Sequence, residues 1–186
     1  MKKITITLFA AFLALSLSAQ ETFTTDDMVL NAGAGFGWYS YGYGATSIPA
    51  LSLSLEKGIK EMDFGTLSVG GIVGFKKASY SWLSGYDDYS WTDIIVAARG
   101  AIHNNILEVE NLDTYGGVAL GLRFQTYKYY VPRLYSEPWE KATDTSTNLL
   151  FALYIGGRYY FSDNFAAFGE LGYGLGYLTI GVSYKF

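Results

Sequence analysis

Residues 28–38 read MVLNAGAGFGW, an alternation of apolar residues with glycine and asparagine inside a charge-free stretch that reaches Leu55. Successive side chains of a β-strand point to opposite faces, so an apolar period of two predicts a strand. A membrane-spanning helix is disfavoured, because five glycines fall between Gly33 and Gly44 and each costs a helix about 1 kcal/mol relative to alanine. The stretch therefore predicts β-structure.

The same alternation recurs along the rest of the chain and predicts eight strands in one domain. After the first strand, the alternating apolar positions are Leu51, Leu53, Leu55; Leu67, Val69, Val73, Phe75; Ile94, Val96, Ala98, Ile102; Val118, Leu120, Leu122, Phe124; Leu149, Phe151, Leu153, Ile155, Tyr159; Phe165, Ala167, Leu171, Tyr173; and Leu178, Ile180, Val182, Tyr184, Phe186. Long polar connections are expected at residues 39–47, 77–90 and 127–147. Short ones are expected at residues 57–63, 104–111, 162–164 and 174–176.

The residues between these apolar positions indicate which face meets which medium. They are mostly small, as at Gly33, Ser52, Ser54 and Gly121, which suits the crowded interior of an eight-stranded barrel. The outer face is then apolar, and it would aggregate in water but is stable in hydrocarbon, where only a closed barrel pairs every backbone group of its strands. The prediction is an all-β, transmembrane, antiparallel up-and-down β-barrel of eight strands.

The composition excludes several classes of chemistry. The chain is 50% hydrophobic and 16% charged, with no cysteine and one histidine. The lack of cysteine excludes disulfides, thiolate metal sites and cysteine nucleophiles. A net charge of −4 disfavours nucleic acid, whose binding proteins concentrate lysine and arginine on one face. We predict no catalytic residue, no metal, no cofactor and no nucleic-acid partner.

The first nineteen residues have the three-part pattern of a secretory signal peptide. Lys2 and Lys3 form a basic start, residues 4–15 are uncharged and mostly apolar, and residues 17–19 are Leu-Ser-Ala. Such a segment is too short to span a membrane as a helix. We predict a signal peptide at residues 1–19 and a barrel domain at residues 20–186.

The predicted mature chain resembles the eight-stranded outer-membrane β-barrel family that includes OmpX and the membrane-anchor domain of OmpA. The resemblance rests on YLTIGVSYKF (residues 177–186), GGRYYF (156–161) and AFGELGYG (167–174). It implies that Tyr184 and Phe186 belong to an assembly signal bound by the barrel assembly machinery. It also implies outer-membrane lipid and lipopolysaccharide of a Gram-negative bacterium as partners. An even number of strands would place both termini in the periplasm and the long connections outside.

Strand parity places several charged residues in the lumen. Asp93, Arg99, Arg123, Arg158 and Glu170 share the inward parity, and unpaired buried charge is very costly. We therefore expect an ion network in which Glu170 meets Arg158 and at least one of Arg99 and Arg123. Tyrosine hydroxyls or backbone carbonyls should hold the surplus arginines. This network predicts a plugged lumen rather than a conducting pore.

An enzymatic barrel is the alternative that His103 raises. A Ser-His-Asp relay requires all three groups within hydrogen-bonding reach. His103 follows the fourth predicted strand at its periplasmic end, where no external substrate arrives. We interpret His103 as a turn or interfacial residue and predict no enzymatic activity.

Aromatic residues bunch at the strand ends that meet the long connections. They are Tyr39, Tyr41, Tyr43, Tyr80, Trp82, Tyr89, Trp91, Tyr127, Tyr129 and Tyr130. Tyrosine and tryptophan favour membrane–water interfaces, so this bunching predicts a girdle.

The third long connection also has the composition of a contact surface. The residues concerned are Tyr129, Tyr130, Arg133, Tyr135 and Trp139, and Tyr, Trp and Arg dominate binding hot spots. Three functions stay open: an envelope protein with a structural role, an adhesion or host-interaction protein acting through its long loops, and a narrow porin for small solutes.

Overall fold

A computed structural model describes residues 22–37, 46–80, 89–131, 140–174 and 176–186. The described chain is almost entirely β-strand. The strands are β1 (Met28–Phe36), β2 (Thr46–Ser47), β3 (Ala50–Met62), β4 (Gly65–Tyr80), β5 (Tyr89–Asn104), β6 (Leu112–Val131), β7 (Glu140–Tyr160), β8 (Phe165–Tyr173) and β9 (Leu178–Lys185). No helix in these ranges is long and apolar enough to cross a membrane.

Eight of these strands close into a ring. Each long strand pairs antiparallel with its neighbour in sequence, and β9 returns to pair with β1 along Val29–Phe36. The two-residue β2 adds a short pairing to β4. The predicted all-β, eight-stranded, antiparallel up-and-down barrel is confirmed.

The two faces of the wall differ as the period-two pattern requires. Apolar residues at the alternating positions face outward, with exposed fractions such as 61% for Leu120, 64% for Ile155 and 57% for Val182. Their sequence neighbours face the lumen, where Ala119 and Ser183 are buried. We call this outward surface the apolar belt.

Both ends of the described chain lie at one end of the barrel, which we call the terminal end. There the backbone N–H of Phe186 donates to the carbonyl of Met28 at 2.9 Å. Exposed aromatic residues surround part of this end on the outer face. They are Tyr159, Phe161, Phe165, Tyr184 and Phe186, and the rings of Phe165, Tyr184 and Phe186 touch in series at 5.0 and 4.9 Å.

At the opposite end, four strands rise above the belt. The connections expected at residues 77–90 and 127–147 are wrong in their bounds, because β4 runs to Tyr80, β5 starts at Tyr89, β6 runs to Val131 and β7 starts at Glu140. The outer-face residues of these strand ends are polar, as at Thr126, Thr145 and Thr147. A search for alternating apolar residues therefore did not detect these parts of the strands. We call residues 76–80, 89–93, 125–131 and 140–148 the extension.

The girdle residues whose side chains are described take inward positions on this extension; they are Tyr80, Tyr89, Trp91, Tyr127 and Tyr129. Trp91 shares the parity of the buried Asp93, and Tyr127 shares the parity of Arg123. These rings therefore face the mouth of the barrel, and the expectation that they face the membrane is wrong. Tyr39, Tyr41, Tyr43 and Trp82 lie outside the described residues.

A charge in the middle of the apolar belt should destabilise the folded barrel in lipid. We expect Leu120→Arg to lower the free energy of unfolding from phospholipid vesicles by about 2–4 kcal/mol, because this side chain lies near mid-belt. Thr126→Arg, on the outer face of the same strand but above the belt, should cost about 1 kcal/mol or less. Guanidinium titrations would measure both, and equal effects would contradict a lipid-facing belt.

Candidate functional site

The lumen near the terminal end is filled by an ion cluster around Arg158. Its guanidinium is fully buried and donates to Asp113 Oδ2 at 2.8 Å and to Glu56 Oε1. Asp113 on β6 lies directly opposite Arg158 on the neighbouring strand β7, whereas Glu56 comes from β3 on the other side of the ring. Buried charges are costly unless they are paired. Because Arg158 pairs with carboxylates on both β6 and β3, the cluster links strands across the lumen.

His103 lies in the same layer. It is 2% exposed, its Nδ1 lies 3.0 Å from both Asp113 oxygens, and its Nε2 lies 2.9 Å from Ser68 Oγ. The interpretation of His103 as a turn or interfacial residue is wrong. The reason is that β5 continues to Asn104 and keeps the inward parity of Arg99 through to His103.

Ser68, His103 and Asp113 thus have the connectivity of a nucleophilic triad but not its accessibility. Ser68 has no exposed surface. Phe23 covers the histidine, with the two rings stacked at a centroid distance of 4.0 Å. A serine without exposed surface does not meet a substrate in this structure, so the geometry supports a packing role for this chain of hydrogen bonds.

Residues 22–27 close the terminal end. Phe23 is 2% exposed and the Thr22 hydroxyl donates to the carbonyl of Leu112 at 3.2 Å. Gly58 makes room for this segment, since a Cβ there would collide with the backbone of Thr24. Lys185 holds the segment from β9, donating to the carbonyl of Thr22 at 3.4 Å.

A second layer lies deeper in the lumen and is centred on Arg99. Its guanidinium donates to Glu170 at 2.8 Å, to the Tyr154 hydroxyl at 3.1 Å and to Ser54 Oγ at 3.2 Å. The Tyr115 hydroxyl donates to the same Glu170 oxygen at 3.0 Å. The lumen at Gly156 admits these groups, because a Cβ there would collide with Tyr115 and Glu170.

The predicted network residues take three positions, of which the first two are linked, because Glu56 Oε2 of the Arg158 cluster also lies 3.8 Å from Arg99 Nε. Glu170 meets Arg99 as expected from parity, whereas Arg158 lies with Glu56 and Asp113 instead of with Glu170. Arg123 lies higher and donates to the carbonyl of Gly174 at 3.0 Å.

A small cavity separates the Arg99 layer from the polar residues above it. It has a volume of about 50 Å³ and is lined mainly by apolar side chains, among them Ile72, Ile95, Ala119, Leu150 and Ala152. Above it, Gln125 donates to Asp93 at 2.9 Å. Charged and polar side chains therefore lie on both sides of this cavity along the barrel axis.

Sequence reasoning missed Glu56 and Asp113. Glu56 continues the inward parity of Ser52 and Ser54 and could have been found by extending that strand by one residue. Asp113 precedes the first apolar position that marked its strand, at Val118, so hydrophobic alternation carried no signal there.

Other predicted residues take their places on the wall. Tyr184 and Phe186 face outward at the terminal end, 37% and 61% exposed. Tyr129 faces inward on the extension and Tyr130 belongs to β6 rather than to a loop. Arg133, Tyr135 and Trp139 lie outside the described residues, as does the predicted signal peptide. Across the described ranges, no group of three or more metal-binding side chains forms a metal site.

The barrel is similar in fold to known outer-membrane proteins. It matches OprG of Pseudomonas aeruginosa with a TM-score of 0.53 and 11% identity, over 90% of this chain and 99% of that one. It matches Ail of Yersinia pestis in a phospholipid nanodisc with a TM-score of 0.50 and 14% identity, over 86% of this chain and 99% of that one. No protein-family model matches the chain, and no curated protein matches it. At these identities the likeness shows the fold.

Removing the central cation should destabilise the barrel strongly. Arg158→Met would leave the Glu56 and Asp113 carboxylates buried without their common partner, and we expect a loss of about 3–5 kcal/mol in the free energy of unfolding. Lys128→Met, which removes an exposed cation from β6, should change it by about 0.5 kcal/mol or less. A loss for Arg158→Met as small as that of the control would contradict the cluster.

The chemical reactivity of His103, the single histidine of the chain, tests whether residues 22–27 cover the terminal end of the lumen. We expect His103 of the untagged protein to resist modification by diethyl pyrocarbonate, because Phe23 covers its ring. Phe23→Ala should speed the modification, while Phe161→Ala, which truncates an exposed ring at the same end, should not. Mass spectrometry would follow the reaction, and rapid labelling of the unaltered protein would contradict the seal.

Proposed function

We propose that this protein is an integral outer-membrane barrel of a Gram-negative bacterium, closed to solutes, that serves a structural role in the envelope and displays its extension at the cell surface. The fold supports an outer-membrane barrel, and the apolar belt supports contact with lipid. Outer-membrane lipid and lipopolysaccharide are its proposed surroundings.

The observation that carries the proposal is the filled lumen. Phe23, the Arg158 cluster and the Arg99 layer follow one another along the axis, each formed from buried and mutually bonded side chains. A solute channel would need an open, water-filled path in their place. The narrow-porin alternative is therefore not favoured.

The proposed orientation follows from the unequal ends. The terminal end has short turns and holds both described chain ends, and the opposite end has the extension. Outer-membrane barrels have short periplasmic turns and longer extracellular loops. We therefore infer that both termini are periplasmic, after removal of residues 1–19, and that the assembly machinery engages Tyr184 and Phe186.

Adhesion through the outer end is the second candidate. It is favoured by the partly exposed aromatic residues on the inner face of the extension. A structural envelope protein has no need of such a surface, whereas a binding protein does.

Planar bilayer recordings test the closed lumen. We expect purified, folded protein to insert without forming a stable conductance, because the charged layers and Phe23 fill its axis. An open porin recorded under the same conditions serves as the positive control, and heat-modifiable migration on a gel confirms that the inserted protein is folded. A steady, wide conductance from the folded protein would overturn the structural proposal and favour the porin.

A further inference from the structure

The inner face of the extension carries a cluster of four aromatic rings. Tyr89 and Trp91 on β5 lie opposite Tyr129 and Tyr127 on β6. Contacting pairs have centroids 5.2 to 6.4 Å apart and planes within 23° of parallel. The rings are partly exposed, with 38% for Tyr89. At these distances nearly parallel rings stack against one another, and we call the partly exposed surface of this stack the aromatic platform.

A strip of polar side chains on β7 begins beside the platform and continues from it toward the belt on the same face, with Ser146 opposite Gln125 and Asn148 opposite Arg123. Asp144, Ser146 and Asn148 alternate on β7, and all three are exposed. Asp144 lies directly opposite Tyr127. Burial and the neighbouring hydroxyls of Tyr89 and Tyr129, together with the Asp144 carboxylate, raise the pKa of Tyr127. Because Asp144 and Tyr127 are paired in register, one ligand can reach both the carboxylate and the platform.

The charges around this face are balanced. Asp93 and Asp144 carry negative charge, and Lys76 and Arg123 carry positive charge. Lys76 lies opposite Asp93 in the β4–β5 register, and Asp93 also accepts a hydrogen bond from Gln125 at 2.9 Å. The described inner face therefore has no excess of cations with which to hold sulfate or phosphate groups, which proteins bind through arginine and lysine.

We propose that the platform and the polar strip together form a binding site for a neutral oligosaccharide reaching the barrel from outside the membrane. A sugar ring has an apolar face of C–H groups and an edge of hydroxyl groups. The C–H groups carry a small positive charge and pack on the negative face of an aromatic ring. The hydroxyls donate and accept, which matches the aspartate, serine and asparagine side chains.

The arrangement on neighbouring strands gives the site its specificity for sugars. An aliphatic or purely aromatic ligand would leave the polar strip without hydrogen bonds and would gain only from the platform. A charged peptide would meet the same balanced charges that disfavour a sulfated glycan. A neutral sugar chain satisfies both surfaces, because each ring brings an apolar face and a polar edge.

Calorimetric titration of the full mature protein in detergent micelles tests the site. The probes are maltohexaose, cellohexaose and chitohexaose, with a heparin hexasaccharide as the anionic comparison. We expect at least one neutral hexasaccharide to bind with a dissociation constant of about 1 mM or tighter, and the heparin fragment to bind more weakly.

Substitutions on the two surfaces locate the binding. Trp91→Ala and Tyr127→Ala should each weaken it about tenfold or more, because buried aromatic anchors dominate such contacts. Asn148→Ala should weaken it while leaving the platform intact. Tyr159→Ala, which truncates an exposed aromatic at the terminal end, should leave binding unchanged. Heat-modifiable migration would show that each variant is folded.

Several results would overturn the proposal. They are no binding of any neutral hexasaccharide, binding by Trp91→Ala and Tyr127→Ala as tight as that of the unaltered protein, and tighter binding of the heparin fragment than of every neutral hexasaccharide. A dimer that dissociates in Trp91→Ala, without sugar binding, would assign the platform to a second copy of the chain. None of these results bears on the conductance of the barrel, so the site and the closed lumen can fail separately.

Discussion

The pairing of β1 with β9 is the interaction on which the rest of the structure depends. Unpaired N–H and C=O groups at a sheet edge have no water to bond in hydrocarbon, and each costs several kcal/mol. The antiparallel register from Val29 with Lys185 to Phe36 with Leu178 removes both edges at once. Once the sheet is a ring, every side chain in the belt points either outward or to the lumen, and sequence parity decides which.

Closure at eight strands makes the lumen narrow, and its contents follow from that. Any charge placed inside needs a partner inside, since the narrow lumen holds too little water to solvate it fully. Arg158 and Arg99 therefore collect carboxylates from strands far apart in sequence. The N-terminal segment completes this arrangement, because Phe23 shields the Ser68, His103 and Asp113 hydrogen bonds from the water at the terminal end.

The alternation of side chains along each strand made much of this structure predictable from the sequence. It also set the limit of what could be predicted. It predicted the strand count, the outward belt and the inward placement of Arg99 and Glu170, because each depends only on counting by two. It says nothing of height along the axis, and so it joined Glu170 with Arg158, although Glu56, 102 residues from Arg158, lies at the matching level. The sequence pattern did not predict the strands of the extension, because outward positions such as Thr145 and Thr147 are polar and so show no apolar alternation.

At the level where the extension begins, the outer face of the wall changes from apolar to polar and the inner face changes from polar to aromatic. This change explains why the sequence pattern predicted the wrong face for the aromatic residues. Phe75, Ile94 and Phe124 face outward in register on three strands, and the next outward residues are Lys77, Thr92 and Thr126. On the inner face, Asp93 and Gln125 give way to Trp91 and Tyr127. A change from lipid to water outside the barrel, as we propose, would account for the change from apolar to polar residues on the outer face. It would not account for the second change, on the inner face, because the lumen-facing side meets no lipid at either level, and the proposed ligand site supplies a separate cause for the inner aromatic residues.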